Sequence, residues 1–186
     1  MKKKIFIPLV VFLIGTCLAG LIVYKTNLHE KENKLTITQL NATTYGERIK
    51  QEISDGIEIA HTLQQLLIDE NGTINKFDTI ANNLMNDSVE SIQLAPNGVV
   101  TDIYPEEGNE AGKIDLLKDK ERGKISCYAR DDHILITQGP FELKQGGEGI
   151  AVRNPVYLED GTGQEYFWGF TIVILRVPDV FSGSLS

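Results

Sequence analysis

An uncharged apolar run from Ile5 to Tyr24 follows directly on Met1-Lys2-Lys3-Lys4. Helix rises roughly 1.5 Å per residue, so about twenty such residues match the thickness of the bilayer hydrocarbon. The run therefore predicts a transmembrane helix over residues 5–24. Three lysines precede it and Lys25 is the only charge at its far end. The positive-inside bias then places residues 1–4 in the cytoplasm and the rest of the chain outside, as a single-pass protein of the cell membrane with an extracellular or periplasmic domain. A cleaved signal peptide competes with this reading, but the run is longer than the usual signal core and no Ala-x-Ala site closes it. Cys17 sits inside the run and reads as a packed membrane residue.

The remaining length suffices for one globular domain of ordinary size in a chain of 186 residues that is 41% hydrophobic. A formal net charge of -8 excludes a nucleic-acid footprint, which needs a basic face to neutralise phosphates. Cys127 is the only cysteine beyond the apolar run, so no disulfide forms within the exported domain and its core must hold it.

From Leu35 to Leu67, apolar or small positions such as Tyr45, Ile49, Ile53, Ile57, Ala60 and Leu63 recur mostly at helical spacing. This predicts a long amphipathic stalk helix within residues 25–72, with Gly46 and Gly56 as weak points and Asp69 to Gly72 as its end. A stalk of this length makes a homodimer through it an expectation. A second helix is expected from Asn75 to about Asn86. The period then changes: Val89 to Leu94 and Val99 to Tyr104 read as strands joined by the turn formers Pro96, Asn97 and Gly98. Short helices are expected within Lys113 to Asp131, and further strands at Ile134 to Thr137, Gly149 to Tyr157 and Tyr166 to Val177. The fold class is α+β, a five-stranded antiparallel sheet with helices, occupying residues 73–181 and followed by a short tail, 182–186.

Catalytic patterns are weak. His29, His61 and His133 are scattered, no nucleophile is paired with a base, and no metal spacing exists. The chain reads as a non-enzyme without a cofactor. Asp131-Asp132-His133 reads as a charged turn and Glu106-Glu107 with Glu110 as a solvated loop. Gly169, inside an apolar strand, signals that something approaches the backbone closely, either a helix or a ligand. Arg153 interrupts another apolar strand. It is either an exposed strand arginine or a fork for a carboxylate or phosphate on the face of the sheet.

The blocks LAPNGVVTDIYPEEGNEAG from Leu94, QGPFEL from Gln138, GIAVRNPVY from Gly149 and FWGFTIVIL from Phe167 resemble the CHASE family of extracellular sensor domains. The resemblance covers roughly Asp87 to Phe181. It implies a stalk helix followed by a PAS-like sensor module, as in bacterial sensor kinases, diguanylate cyclases and plant cytokinin receptors, and hence signal transduction by ligand binding. In the plant receptors the ligand contacts match Gln138-Gly139-Pro140-Phe141, Leu143-Lys144 and the strand Gly149 to Tyr157, and a pocket aspartate falls near Glu121 or Arg122. Two pocket threonines become Gln138 and Arg153 here, which argues against an adenine-like ligand and for a small molecule with an anionic group.

Motif matching places Gln138, Leu143 and Arg153 at this pocket, and sheet alternation adds Asp102, Tyr104, Trp168 and Thr171. The output domain of such a receptor is expected to lie outside this chain. An anchored protein-interaction module that binds no small ligand is the alternative.

Overall fold

The computed structural model describes residues 3–106, 114–143 and 146–177, with side chains from Phe12 onward. The acidic loop beyond Glu106, Lys144, the tail 182–186 and the first side chains of the apolar run lie outside the described residues. The chain divides into two units, residues 1–47 and 48–186.

The first unit is helical throughout its described length. It belongs to α1 (Lys3–Asp69), which runs through Gly46 and Gly56 without interruption. Among the described residues no helix is long and apolar enough to cross a membrane. The apolar side chains described from Phe12 to Tyr24, including Leu18, Leu21, Ile22 and Val23, are exposed. Thr16 donates its hydroxyl to the carbonyls of Phe12 and Leu13, both at 3.0 Å, so this hydroxyl is satisfied by its own helix.

The second unit is α+β. The α1 residues from Arg48 onward belong to it, together with α2 (Phe77–Leu84), α3 (Gly123–Asp131) and a five-stranded antiparallel sheet. The strands are β1 (Val89–Pro96), β2 (Asp102–Tyr104), β3 (Ile136–Glu142), β4 (Glu148–Glu159) and β5 (Glu165–Arg176), in the order β2-β1-β5-β4-β3. The two longest strands lie at the centre beside β1, and short β2 forms one edge.

Turn chemistry fixes the ends. α1 stops where Asn71 and Gly72 take positive φ, and the Gly72 amide returns to the Leu67 carbonyl at 2.7 Å. Asn97 and Gly98 both have positive φ, and Val99 N–H donates to Pro96 at 3.1 Å, giving the tight turn after β1. The expected strand from Val99 to Tyr104 is shorter than its sequence suggested. Val99 bridges to Asp115 and Val100 N–H donates to Ile114 at 3.0 Å, so pairing with β1 begins only at Asp102.

Each face of the sheet carries its own core. Ile92, Leu94, Val152, Val156, Val173 and Leu175 pack against Ala60, Leu63 and Leu67 of α1 and Phe77 and Ala81 of α2. Leu63 and Leu67 are fully buried, and each such side chain contributes about 1.5–3 kcal/mol relative to exposure. Ala95, Ile103, Ile136, Phe170 and Ile172 form the opposite core with Ala129 of α3 and Leu116 of the segment before it. Alternation along each strand assigns residues to one face or the other.

Gly169 has its explanation here. A Cβ on it would lie 2.2 Å from the Ala95 carbonyl oxygen and 2.7 Å from Pro96 Cα. What approaches its backbone is neither a helix nor a ligand but the neighbouring strand β1.

Candidate functional site

On the α3 face the side chains of β1, β4 and β5 do not fill the space beneath the segment that leads into α3. A cavity of about 130 Å³ remains. Ile103, Ile114, Leu116, Leu143, Ile172 and Ile174 give it apolar walls, and Phe141 closes one side. Ser91 and Gln93 supply a buried polar pair, with Gln93 Nε2 donating to Ser91 Oγ at 3.0 Å. Arg122, Arg153, Glu90 and Glu142 bring charge to the wall.

Arg153 is the unusual member. It lies on β4 opposite Ile136 of β3 and Ile172 of β5, and only 3% of it is exposed. Its Nη1 donates to the side-chain carbonyl of Gln138. Among the described residues its buried Nε–H has no acceptor, and no carboxylate pairs with it. Burial, followed by the repulsion of Arg122, lowers its pKa to about 10, while Asp119 acts in the opposite direction. The guanidinium is therefore charged at neutral pH in a place that disfavours charge.

Arg122 stands beside it at the start of α3, with Nη1 4.0 Å from Asp119 Oδ2. Asp119 Oδ1 accepts the backbone N–H groups of Arg122 at 2.8 Å and Glu121 at 2.9 Å. These backbone bonds, Arg122 first, hold the Asp119 carboxyl below its usual range. Asp119 is thereby committed to the turn and only loosely to the arginine. Glu90 is taken up by Arg176, whose Nε donates to its Oε2 at 3.0 Å.

A second hollow of about 460 Å³ lies at the same arginines, bounded by Glu121 and residues 138–142. The pair Arg122 and Arg153 thus stands between a mainly apolar hollow and a more polar one. A wider cleft of about 520 Å³ at Ile68, Asn71, Tyr157 and Tyr166 offers only the exposed carboxylates Glu159 and Glu165, and no buried polar side chain lines it.

Gln138, Leu143 and Arg153 are therefore brought together. The other expected site residues are not. Tyr104 donates to Asn82 Oδ1 at 2.6 Å and packs against the α1 core. Trp168 donates Nε1–H to the Gly72 carbonyl at 3.0 Å, and Thr171 donates to the Ala60 carbonyl at 3.0 Å, both on the α1 face. Asp102 is exposed and accepts from Thr101. Ser91 and Gln93 are cavity residues beyond that expectation, and Arg122 lies where the resemblance put a pocket aspartate. The polar positions Ser91 and Gln93, alternating with Ile92 and Leu94, were the signal for the first two.

His133 stacks on Tyr157 with ring centroids 3.9 Å apart, and Asp131 pairs with Arg130 at 2.7 Å. This neighbourhood is a charged turn after α3.

No family model matches the chain, and no curated protein matches it. Among solved structures, the extracellular ligand binding receptor from Desulfohalobium retbaense is similar in fold, with a TM-score of 0.56 at 15% sequence identity. The likeness covers 73% of this chain and 24% of that one, so this chain spans about a quarter of that receptor's length.

Proposed function

We propose that this chain is the ligand-sensing part of a membrane-anchored signal-transduction receptor, related to the CHASE sensor domains with their PAS-like module, and that it binds a small anionic molecule outside the cytoplasmic membrane. The observation that carries this reading is Arg153: a buried guanidinium with an unsatisfied Nε–H on the wall of a small cavity. A buried charge without a counter-ion costs several kcal/mol, and an anion entering the cavity removes that cost. The likeness in fold to an extracellular ligand binding receptor supports the same reading.

The anchor is the run 5–24. Exposed apolar side chains from Phe12 onward and a Thr16 hydroxyl satisfied within its own helix suit a lipid surrounding. Lys2 to Lys4 hold its start in the cytoplasm. On this reading α1 carries the signal, because the sheet that bears Arg153 is bonded to it on its other face. Dimerisation through the helix supplies the element whose shift a partner reads.

Thermal unfolding of the full chain in detergent, against amino acids, organic acids, nucleobases and nucleotides, tests the proposal. A ligand that binds only the folded state raises its stability by about 2.7 kcal/mol at a hundredfold excess over Kd. The expected result is stabilisation by one anionic class, abolished in Arg153→Ala. A folded protein that no compound stabilises would favour an anchored protein-interaction module instead.

A further inference from the structure

We infer that the cavity beside Arg153 selects short aliphatic monocarboxylates; the inference rests on the ligand-sensing reading and narrows it to a class. Three features of the site converge on that class.

The first is the donor geometry. Nη1 is held by Gln138 and the buried Nε–H has no acceptor among the described residues, so the edge of the guanidinium that carries Nε is the one left to a ligand. That edge matches the two oxygens of a carboxylate. Gln138 fixes the plane of the guanidinium and so the direction from which a carboxylate approaches.

The second is charge. Arg122 has Asp119 loosely at 4.0 Å, whereas the buried Arg153 beside it has no carboxylate partner among the described residues. Glu90 and Glu142 stand on the same wall. Arg176 already holds Glu90, so a second negative charge on the ligand would be set against Glu142, and a monoanion fits better than a dicarboxylate or phosphate dianion.

The third is size and lining. About 130 Å³ is somewhat less than the roughly 150 Å³ of an apolar cavity known to accept benzene. That leaves room for about four to six non-hydrogen atoms. Ile103, Leu116, Leu143 and Ile172 offer an alkyl group apolar contact on several sides. A carboxylate at Arg153 with a chain of two to four carbons, about the size of propionate or butyrate, uses both ends of the space.

The experiment is titration of the full chain in detergent with sodium propionate, butyrate and hexanoate, and with propionamide, succinate, glycine and inorganic phosphate. Unfolding temperature and calorimetric heat are the readouts. Saturable binding of propionate or butyrate is expected, with hexanoate weaker and propionamide inert. Arg153→Gln should weaken propionate at least about tenfold. Leu143→Ala enlarges the cavity at its edge and should move the preference toward hexanoate; Ile172→Ala does the same from the floor and serves if the first variant folds poorly. Binding of succinate, phosphate or glycine in place of the monocarboxylates would overturn this inference and leave ligand sensing standing. Equal binding of propionamide and propionate would overturn the role of the charge. If none of these compounds binds and the broader compound set also fails, both readings fall together.

Discussion

Thr171 of β5 donates its hydroxyl to the main-chain carbonyl of Ala60 in α1 at 3.0 Å, while its strand neighbour Ile172 forms part of the cavity on the other side of the sheet. β4 repeats the arrangement: Asn154 donates to Gln64 of α1 at 3.0 Å, and Arg153, one residue earlier, faces the cavity. Arg153 and Ile172 are directly paired, as are Asn154 and Thr171. A displacement of β4 at the cavity therefore reaches the helix through one residue of strand.

Thr171→Val removes the hydroxyl while nearly keeping the shape. Loss of one buried hydrogen bond should lower stability by about 1 kcal/mol in urea unfolding. Affinity for the cavity ligand should change less than about threefold, because the substitution lies on the far face. A larger loss of affinity would show that the two faces of the sheet are not separable in this way.

Arg153→Met tests the cost of the buried charge. A pKa lowered by burial from the ordinary arginine value to about 10 corresponds to about 3 kcal/mol against the folded state. The sign follows from proton binding: the unfolded chain holds this proton more tightly, so the whole cost is present at neutral pH and fades only as pH rises from about 10 toward the ordinary arginine value. Methionine fills similar volume without charge. The ligand-free variant should gain about 1–3 kcal/mol in denaturant unfolding at pH 7 and lose ligand binding. A destabilised variant would mean that Gln138 and the neighbouring acids already offset the charge.

Gly169→Ala forces a methyl group to 2.2 Å from the Ala95 carbonyl oxygen, so β1 and β5 must separate. The expected loss is at least about 2 kcal/mol, read as a fall in unfolding temperature. No cavity-lining side chain is replaced and the clash lies at the Ala95–Pro96 end of β1, so any protein that remains folded should still bind ligand.

Leu63→Ala deletes a fully buried side chain where α1 meets the sheet. A loss of about 2–5 kcal/mol is expected. A loss below 1 kcal/mol would contradict the packing of α1 on this face.

Much of this architecture was legible in the chain. The helical spacing of Ile53, Ile57, Ala60, Leu63 and Leu67, the turn formers Pro96 to Gly98, and the apolar strands around Arg153 each have one strong local signature. A charge within an apolar run was enough to single out Arg153. The face on which β5 residues lie was not legible, and the reason is a single irregularity. Tyr157 pairs with Phe167, and counting back from there sets Thr171 opposite Arg153. The register shifts between Val156 and Tyr157, so that Ile172 takes that place and Thr171 turns toward α1. Alternation is reliable only up to a bulge. Val99 and Val100 misled for a different reason: their partners lie at residues 114–115, beyond the reach of a local pattern.

The parity of β4 and β5 has an evolutionary consequence. Ala151, Arg153, Ile172 and Ile174 face α3, whereas Val152, Asn154, Thr171 and Val173 face α1. Drift at the first set alters what the chamber admits and leaves the seat of the helix intact. A lineage can thus acquire a new chemical signal by single substitutions without rebuilding the machinery beneath it. An insertion of one residue in either strand does the opposite, exchanging both sets at once, so sequence divergence in these strands should proceed by replacement and not by changes in length.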